Sequence, residues 1–185
     1  RIGVGRDEAV VNGVLPAPAA HNLLFGGTMF LMSQPGVALV DNSATESAGP
    51  QNLELLLASK IDLSFDQQSL EFSIRDLGQE VKDRYPNLPF DFRIQIVGAD
   101  LENDGITRNQ QVRNINLNDK SLSESLTEIV VVAQATGKPP SHPDQKLIWV
   151  VGPDPEQPDK QIVLVTTRSA AMKNNYTLPA VFRGN

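Results

Sequence analysis

The sequence predicts an α+β domain: a mixed or antiparallel sheet of four to six strands, with two main helices on one face, built from two strand–helix units. Three observations carry this. Two segments alternate apolar and polar residues, and each runs into an amphipathic helix opened by a serine. The two serines, Ser69 and Ser121, lie 52 residues apart, and the residues around them match in kind. Two continuous apolar runs near the C-terminus, joined by a proline-rich connection, complete the pattern of a sheet with helices on one side.

The first fifty residues have a different texture and read as an N-terminal extension and linker. Pro16, Pro18, Pro35 and Pro50, with many glycines, punctuate short apolar pieces at 23–25, 29–32 and 37–40, which predict short strands or extended chain. Asp41 to Gln51 is polar and rich in Ser, Ala and Gly, the composition of a linker. The domain proper spans 51–185. Asn52 to Ser59 suits a short helix, and Ile61-Asp-Leu63-Ser-Phe65 has the period of a half-buried strand. Ser69 offers an N-cap to a helix whose apolar stripe is Leu70, Ile74, Leu77 and Val81, ended before Pro86.

Phe92 to Ile96 predicts a second strand, Asn103-Asp104-Gly105 a turn, and Val112 to Leu117 a third strand. Ser121 and Glu124 form a capping box for a second helix through Leu122, Leu126, Ile129, Val130 and Ala133, with Gly137 placed to end it. Lys138 to Lys146 is a loop. Leu147 to Val151 and Ile162 to Thr166 read as central strands joined by an exposed hairpin connection, and Ala170 to Phe182 as a tail with a short helix or extended segment. The offset of 52 brings Leu63 onto Ile115, Phe65 onto Leu117, Ile74 onto Leu126 and Leu77 onto Ile129, which predicts an internal repeat.

Composition narrows the function classes. With 185 residues and 40% apolar content, the chain can bury a core without a metal or disulfide staple. Lys plus Arg is 16 against 22 for Asp plus Glu, a net charge of −6, so nucleic acid is disfavoured as a partner. The absence of cysteine removes disulfides, thiolate metal sites and thiol nucleophiles. The longest apolar run, Ile129 to Ala133, is far below the ~20 residues of a membrane span. A chain that starts at Arg1, with no signal peptide at that end, reads as a processed product or a piece of a longer protein.

Candidate chemistry is sparse. Asp100, Glu102 and Asp104, followed by Gly105, have the spacing that opens a calcium loop, but position 12 falls on Gln111 where a bidentate Glu is needed. The competing reading is a polar hairpin with Asn-Asp-Gly at its tip. His21 and His142 lie in proline-rich loops without metal-ligand spacing, and no nucleophile elbow or phosphate loop is present. No catalytic or cofactor-binding residues are assigned. Arg108, Asn109, Gln110 and Arg168 form a possible interaction surface for a peptide, glycan or partner strand. Alternatively, Arg108 and Asn109 cap a loop and Arg168 pairs with an acid such as Asp100 or Glu102, a structural role of the general kind in which loop-fixing arginines satisfy backbone carbonyls. Trp149, in an apolar strand, reads as core.

The strand and Ser-Leu helix, twice over and closed by a hairpin, resemble the short N-terminal domain of secretins and TonB-dependent receptors. Gly98-Ala-Asp100-Leu101, Gly105-Ile-Thr-Arg-Asn-Gln110, Gln145-Lys-Leu-Ile-Trp-Val150 and Thr166-Thr-Arg168 look like uncharacterised bacterial envelope proteins carrying a divergent copy. The resemblance covers about residues 60 to 182, and its segment from Phe92 to Ile115 is longer than the tight strand pair of the short domain. It implies a non-catalytic protein-interaction or assembly module of a larger protein, in the cell envelope or periplasm, with a protein partner or self-association and no cofactor. A small-ligand or glycan-binding domain is the alternative.

Overall fold

A computed structural model describes residues 2–4, 9–11 and 49–184, and the chain divides into two units, Arg1–Glu46 and Ser47–Asn185. The first contributes β1 (Ile2–Val4) and β2 (Ala9–Val11), paired antiparallel with Ile2 opposite Val11. The extended pieces expected at 23–25, 29–32 and 37–40, and His21, lie outside the described residues.

The second unit is α+β, and its architecture follows from the repeat. After a short α1 (Leu53–Ala58), capped by the Asn52 side chain, β3 (Lys60–Ser69) passes without a loop into α2 (Leu70–Arg84). In the same way β5 (Gln111–Ser121) passes into α4 (Leu122–Gln134). The last residue of each strand is the serine that caps the helix: Ser69 Oγ accepts from Phe72 N–H at 3.4 Å, and Ser121 Oγ from Glu124 N–H at 3.2 Å. At Ser121 the cap is reciprocal, because Glu124 accepts from the Ser121 N–H at 2.8 Å.

β3 and β5 pair antiparallel, with Leu63 opposite Leu117, Phe65 opposite Ile115, and Ser64 opposite Asn116 at the centre. The 52-residue offset exchanges the first two pairs and maps the third onto itself, so the ribbon has a pseudo-two-fold axis through Ser64 and Asn116. Each unit also braces the other's helix. Leu70 N–H donates to Gln110 O at 2.8 Å, and Leu122 N–H donates to Ser59 O at 2.9 Å, so the carbonyl just before each strand satisfies the helix start of its mate. The symmetry slips between Ile61 and Leu63, where a bulge inserts one residue in β5. Asp119 (φ 57) sits in that bulge, and Asp62 Oδ1 takes its N–H at 2.7 Å. That amide, then Arg84, hold the Asp62 carboxyl below its usual range.

The second sheet has the order β4 (Ile94–Ile96), β7 (Gln161–Thr167), β6 (Leu147–Pro153), with β4 parallel and β6 antiparallel to the central β7. Thus the five strands of this unit form two sheets, one antiparallel and one mixed. α4 packs on both β5 and β6, α2 packs on β3 and β4, and the two helices touch each other. Their apolar stripes are fully buried: Leu70, Leu77 and Val81 on α2, and Leu122, Leu126 and Ile129 on α4. Each such side chain removed from water contributes about 1.5–3 kcal/mol.

Four details depart from expectation. The segment after β4 is a helix, α3 (Gly98–Asn103), which takes in Asn103 of the expected turn and leaves only Asp104 and Gly105 (φ 74) to turn the chain. Phe92 is buried outside a strand, and β4 is confined to three residues. α4 ends at Ala135, which itself adopts the left-handed conformation (φ 51), before Gly137 is reached. Here Gln134 is held by its neighbours, donating to Asp144 O at 2.8 Å and accepting from Leu147 N–H at 2.7 Å, which fixes the helix end. Finally, β6 is an edge strand, not a central one; it is buried because α4 packs against it. α5 (Arg168–Lys173) and a 3₁₀ turn (Ala180–Phe182) complete the tail.

Candidate interaction site

The three carboxylates that suggested a calcium loop stand on α3 or at its end. On a helix, positions 100 and 104 share a face and 102 points elsewhere. Accordingly Asp100 accepts from the Thr166 hydroxyl at 2.6 Å, Asp104 accepts from the Ser169 hydroxyl, and Glu102 is exposed. The Ser169 hydroxyl, then that of Thr167, hold the Asp104 carboxyl below its usual range. The helix replaces the loop on which the three would converge, and no group of three potential ligands is placed to hold a metal among the described residues. His142 Nδ1 accepts from the Asp144 N–H at 3.1 Å.

The four residues of the expected interaction surface fall in three places. Arg168 faces inward and donates to the carbonyls of Phe182 (2.7 Å), Pro140 (3.1 Å) and Gln145 (3.3 Å). Its partners are carbonyls instead of Asp100 or Glu102. Asn109 and Gln110 border a depression of about 550 Å³ with Arg113, Val132 and Gln134. Arg108 lies apart from them. Its carbonyl accepts from Glu71 N–H at 3.1 Å at the start of α2, and its exposed guanidinium rests on Gly98. A Cβ at position 98 would come within 2.3 Å of that guanidinium, so a side chain there would push the arginine head aside.

Arg108 there joins a feature that the sequence reading missed, the edge of β4. Val163 N–H donates to Arg93 O at 3.2 Å, and Val97 N–H donates to Val165 O at 2.9 Å. With Gln95 opposite Leu164, the parallel ladder directs the main-chain groups of Arg93, Gln95 and Val97 toward β7. The N–H and C=O groups of Ile94 and Ile96 therefore point outward, with no strand beside them among the described residues.

Two depressions flank this edge where α2 overhangs it. One of about 510 Å³ is bordered by Glu71, Phe72, Gln95, Ile96 and Arg108, and one of about 170 Å³ by Gly78, Lys82, Phe92 and Arg93. They meet at Ile74, Arg75 and Ile94, forming one groove between helix and strand. Phe72 is 48% exposed, with the Arg75 guanidinium stacked 4.4 Å above its ring. The Gln95 Oε1 atom is buried without a hydrogen-bond partner in the described structure.

The start of β4 is anchored. Arg93 bridges Asp154, which is almost wholly buried, and Glu156 at 3.0 Å, both in the connection between β6 and β7. Glu156, then Asp154, raise the Arg93 pKa above its usual value. Burial pushes the Asp154 carboxyl up, but the Glu156 amide and Arg93 outweigh it and leave it lowered.

The opposite edge of the sheet is bordered differently. Trp149 of β6 is buried, donates from Nε1 to Thr127 Oγ1 at 2.9 Å, and meets the Phe182 ring edge-on at 6.2 Å between centroids. Trp149, Thr127, Val131, Pro140, Pro179 and Val181 line a cavity of about 480 Å³ beside it. The C-terminal turn thus meets β6 through the Trp149 ring, while the β4 edge faces a groove.

One sequence signal could have pointed to the groove. Phe72 stands outside the apolar stripe of α2, three residues before Arg75, an aromatic placed where the helix faces water. No helix among the described residues is long and apolar enough to cross a membrane. Comparisons with protein-family models, curated proteins and solved structures find no match to this chain.

Proposed function

We propose that this chain is a non-catalytic protein-interaction module of a larger bacterial envelope protein, and that it binds an extended segment of a partner by strand addition at β4. The observation that carries this reading is the outward-facing main chain of Ile94 and Ile96 beside a groove walled by α2. Strand addition takes its affinity from main-chain hydrogen bonds and its selectivity from pockets for alternate side chains, and both elements are present here. The resemblance of the repeated strand–helix unit to the secretin and TonB short N-terminal domain supports the envelope setting. Selection of binders from a random peptide library, mapped by amide chemical shifts, tests the reading. Binders that shift Ile94, Gln95 and Ile96, and that lose affinity in Ile94→Pro without loss of folding, support it. Binders that map elsewhere count against it.

A second reading, a small-ligand site, draws on the cavity beside Trp149, whose volume of about 480 Å³ is in the range of ligand pockets. Trp149 is only 3% exposed, which suits a small apolar molecule better than a stacked glycan. A shift in Trp149 fluorescence on ligand screening is its signature.

A further inference from the structure

We infer that the segment received by the β4 groove is acidic. This rests on the strand-addition reading above and specifies its occupant. The chain carries a net charge of −6, yet the side chains around the groove run the other way. Arg108 stands at one end, Arg75 at the middle, and Lys82 and Arg93 at the other end, against Glu71 as the carboxylate of the lining. Arg93 is committed to Asp154 and Glu156, while Arg75 has an exposed contact with Asp76 at 3.5 Å. Arg108 and Lys82 make no ion pair among the described residues.

The charges are spaced along the strand direction, so an added strand would present its side chains to them in turn. A residue of the incoming segment that faces α2 meets Arg75, with Arg108 and Lys82 beyond it on either side. Glutamate or aspartate at such positions gains attraction, while lysine is repelled. The same charges disfavour a second copy of this chain as the occupant, because pairing two β4 edges brings two basic grooves together. Phe72 supplies the apolar surface against which an aliphatic neighbour of the acidic residue would pack.

The test uses the whole chain and two probes, hexapeptides that alternate valine with glutamate or valine with lysine. Titrations followed by amide shifts are run at low and at near-physiological salt. The glutamate peptide is expected to bind roughly tenfold more tightly than the lysine peptide at low salt, from a few exposed ion pairs. Its shifts are expected at Ile94, Gln95, Ile96 and Arg108, and its advantage to shrink as salt rises. Arg108→Glu and Lys82→Glu, both exposed side chains, are expected to erase the preference while leaving the melting temperature in place. Equal binding of the two peptides at β4 overturns the acidic preference and leaves strand addition standing. Absence of β4 shifts with both overturns strand addition as well. A single-stranded oligonucleotide that shifts the β4 amides where the glutamate peptide does not would assign the basic groove to nucleic acid and overturn the inference.

Discussion

Arg168 decides between two roles that its sequence context left open, and its removal has a size that can be worked out. The guanidinium spreads its donors over Phe182 O, Pro140 O and Gln145 O, at 2.7, 3.1 and 3.3 Å, and so ties the proline-rich loop and the C-terminal turn to the end of β7. A hydrogen bond from a charged donor contributes about 1.5–3 kcal/mol. Three of these do not add in full here, because the side chain is only partly buried and the released carbonyls regain water. Arg168→Ala is therefore expected to cost about 2–4 kcal/mol, and to lower the melting temperature by about 6–12 °C. Arg168→Lys is expected to recover less than half of that, since one ammonium cannot reproduce the planar fork. Urea unfolding followed by fluorescence is the assay. Trp149 is the single tryptophan and packs edge-on against Phe182, whose carbonyl Arg168 holds, so it reports on the same corner. A loss below about 0.5 kcal/mol for Arg168→Ala would refute the structural role and release this side chain for a partner.

Three further expectations follow from the same geometry. Ser121→Ala is expected to cost about 1–2 kcal/mol and Ser69→Ala less, because Ser121 shares a reciprocal cap with Glu124 whereas Ser69 makes one 3.4 Å bond; equal losses in thermal melts would contradict this. Asp62, Asp104, Glu124 and Asp154 all have lowered pKa values, so the folded state binds fewer protons than the unfolded chain. Their stabilisation is in place above the unfolded values near 3.8 for Asp and 4.5 for Glu, and is lost as pH falls through the lower folded values. The melting temperature should stay level from about pH 7 to 5 and then decline steeply below about pH 4; a decline centred near neutrality would contradict the assignment. Millimolar calcium should leave the melting temperature unchanged, because Asp100 and Asp104 already hold hydroxyls and Glu102 faces away; a rise of several degrees would restore the site.

Much of the fold was legible because it is written locally. The strand period around Leu63 and Phe65, the Ser69 and Ser121 caps, and the helix stripes all depend on neighbours within a few residues. The repeat was legible for the same reason, and the pairing of Leu63 with Leu117 gives it its two-fold geometry. α3 escaped notice because six residues hold too little of a helical period, and because Val97 provides no side-chain cap. The apolar runs of β6 and β7 reported burial on both faces, which a covered edge strand shares with a central one. Which strand lies at an open edge depends on the order β4-β7-β6, and a three-residue strand such as Ile94-Gln95-Ile96 carries no sign of it. Arg108, Asn109, Gln110 and Arg168 are alike in the sequence only in being polar. Only the fold sends Arg108 to the groove and Arg168 to the interior.

Amide hydrogen exchange on the unliganded chain tests the open β4 edge most directly. The N–H groups of Ile94 and Ile96 face outward, whereas those of Gln95 and Val97 are donated to β7. An open edge predicts that Ile94 and Ile96 exchange at least about tenfold faster than Gln95 and Val97, and become protected when an extended acidic peptide binds. Equal, slow exchange of all four amides in the unliganded chain would mean that the edge is already covered, and would contradict it.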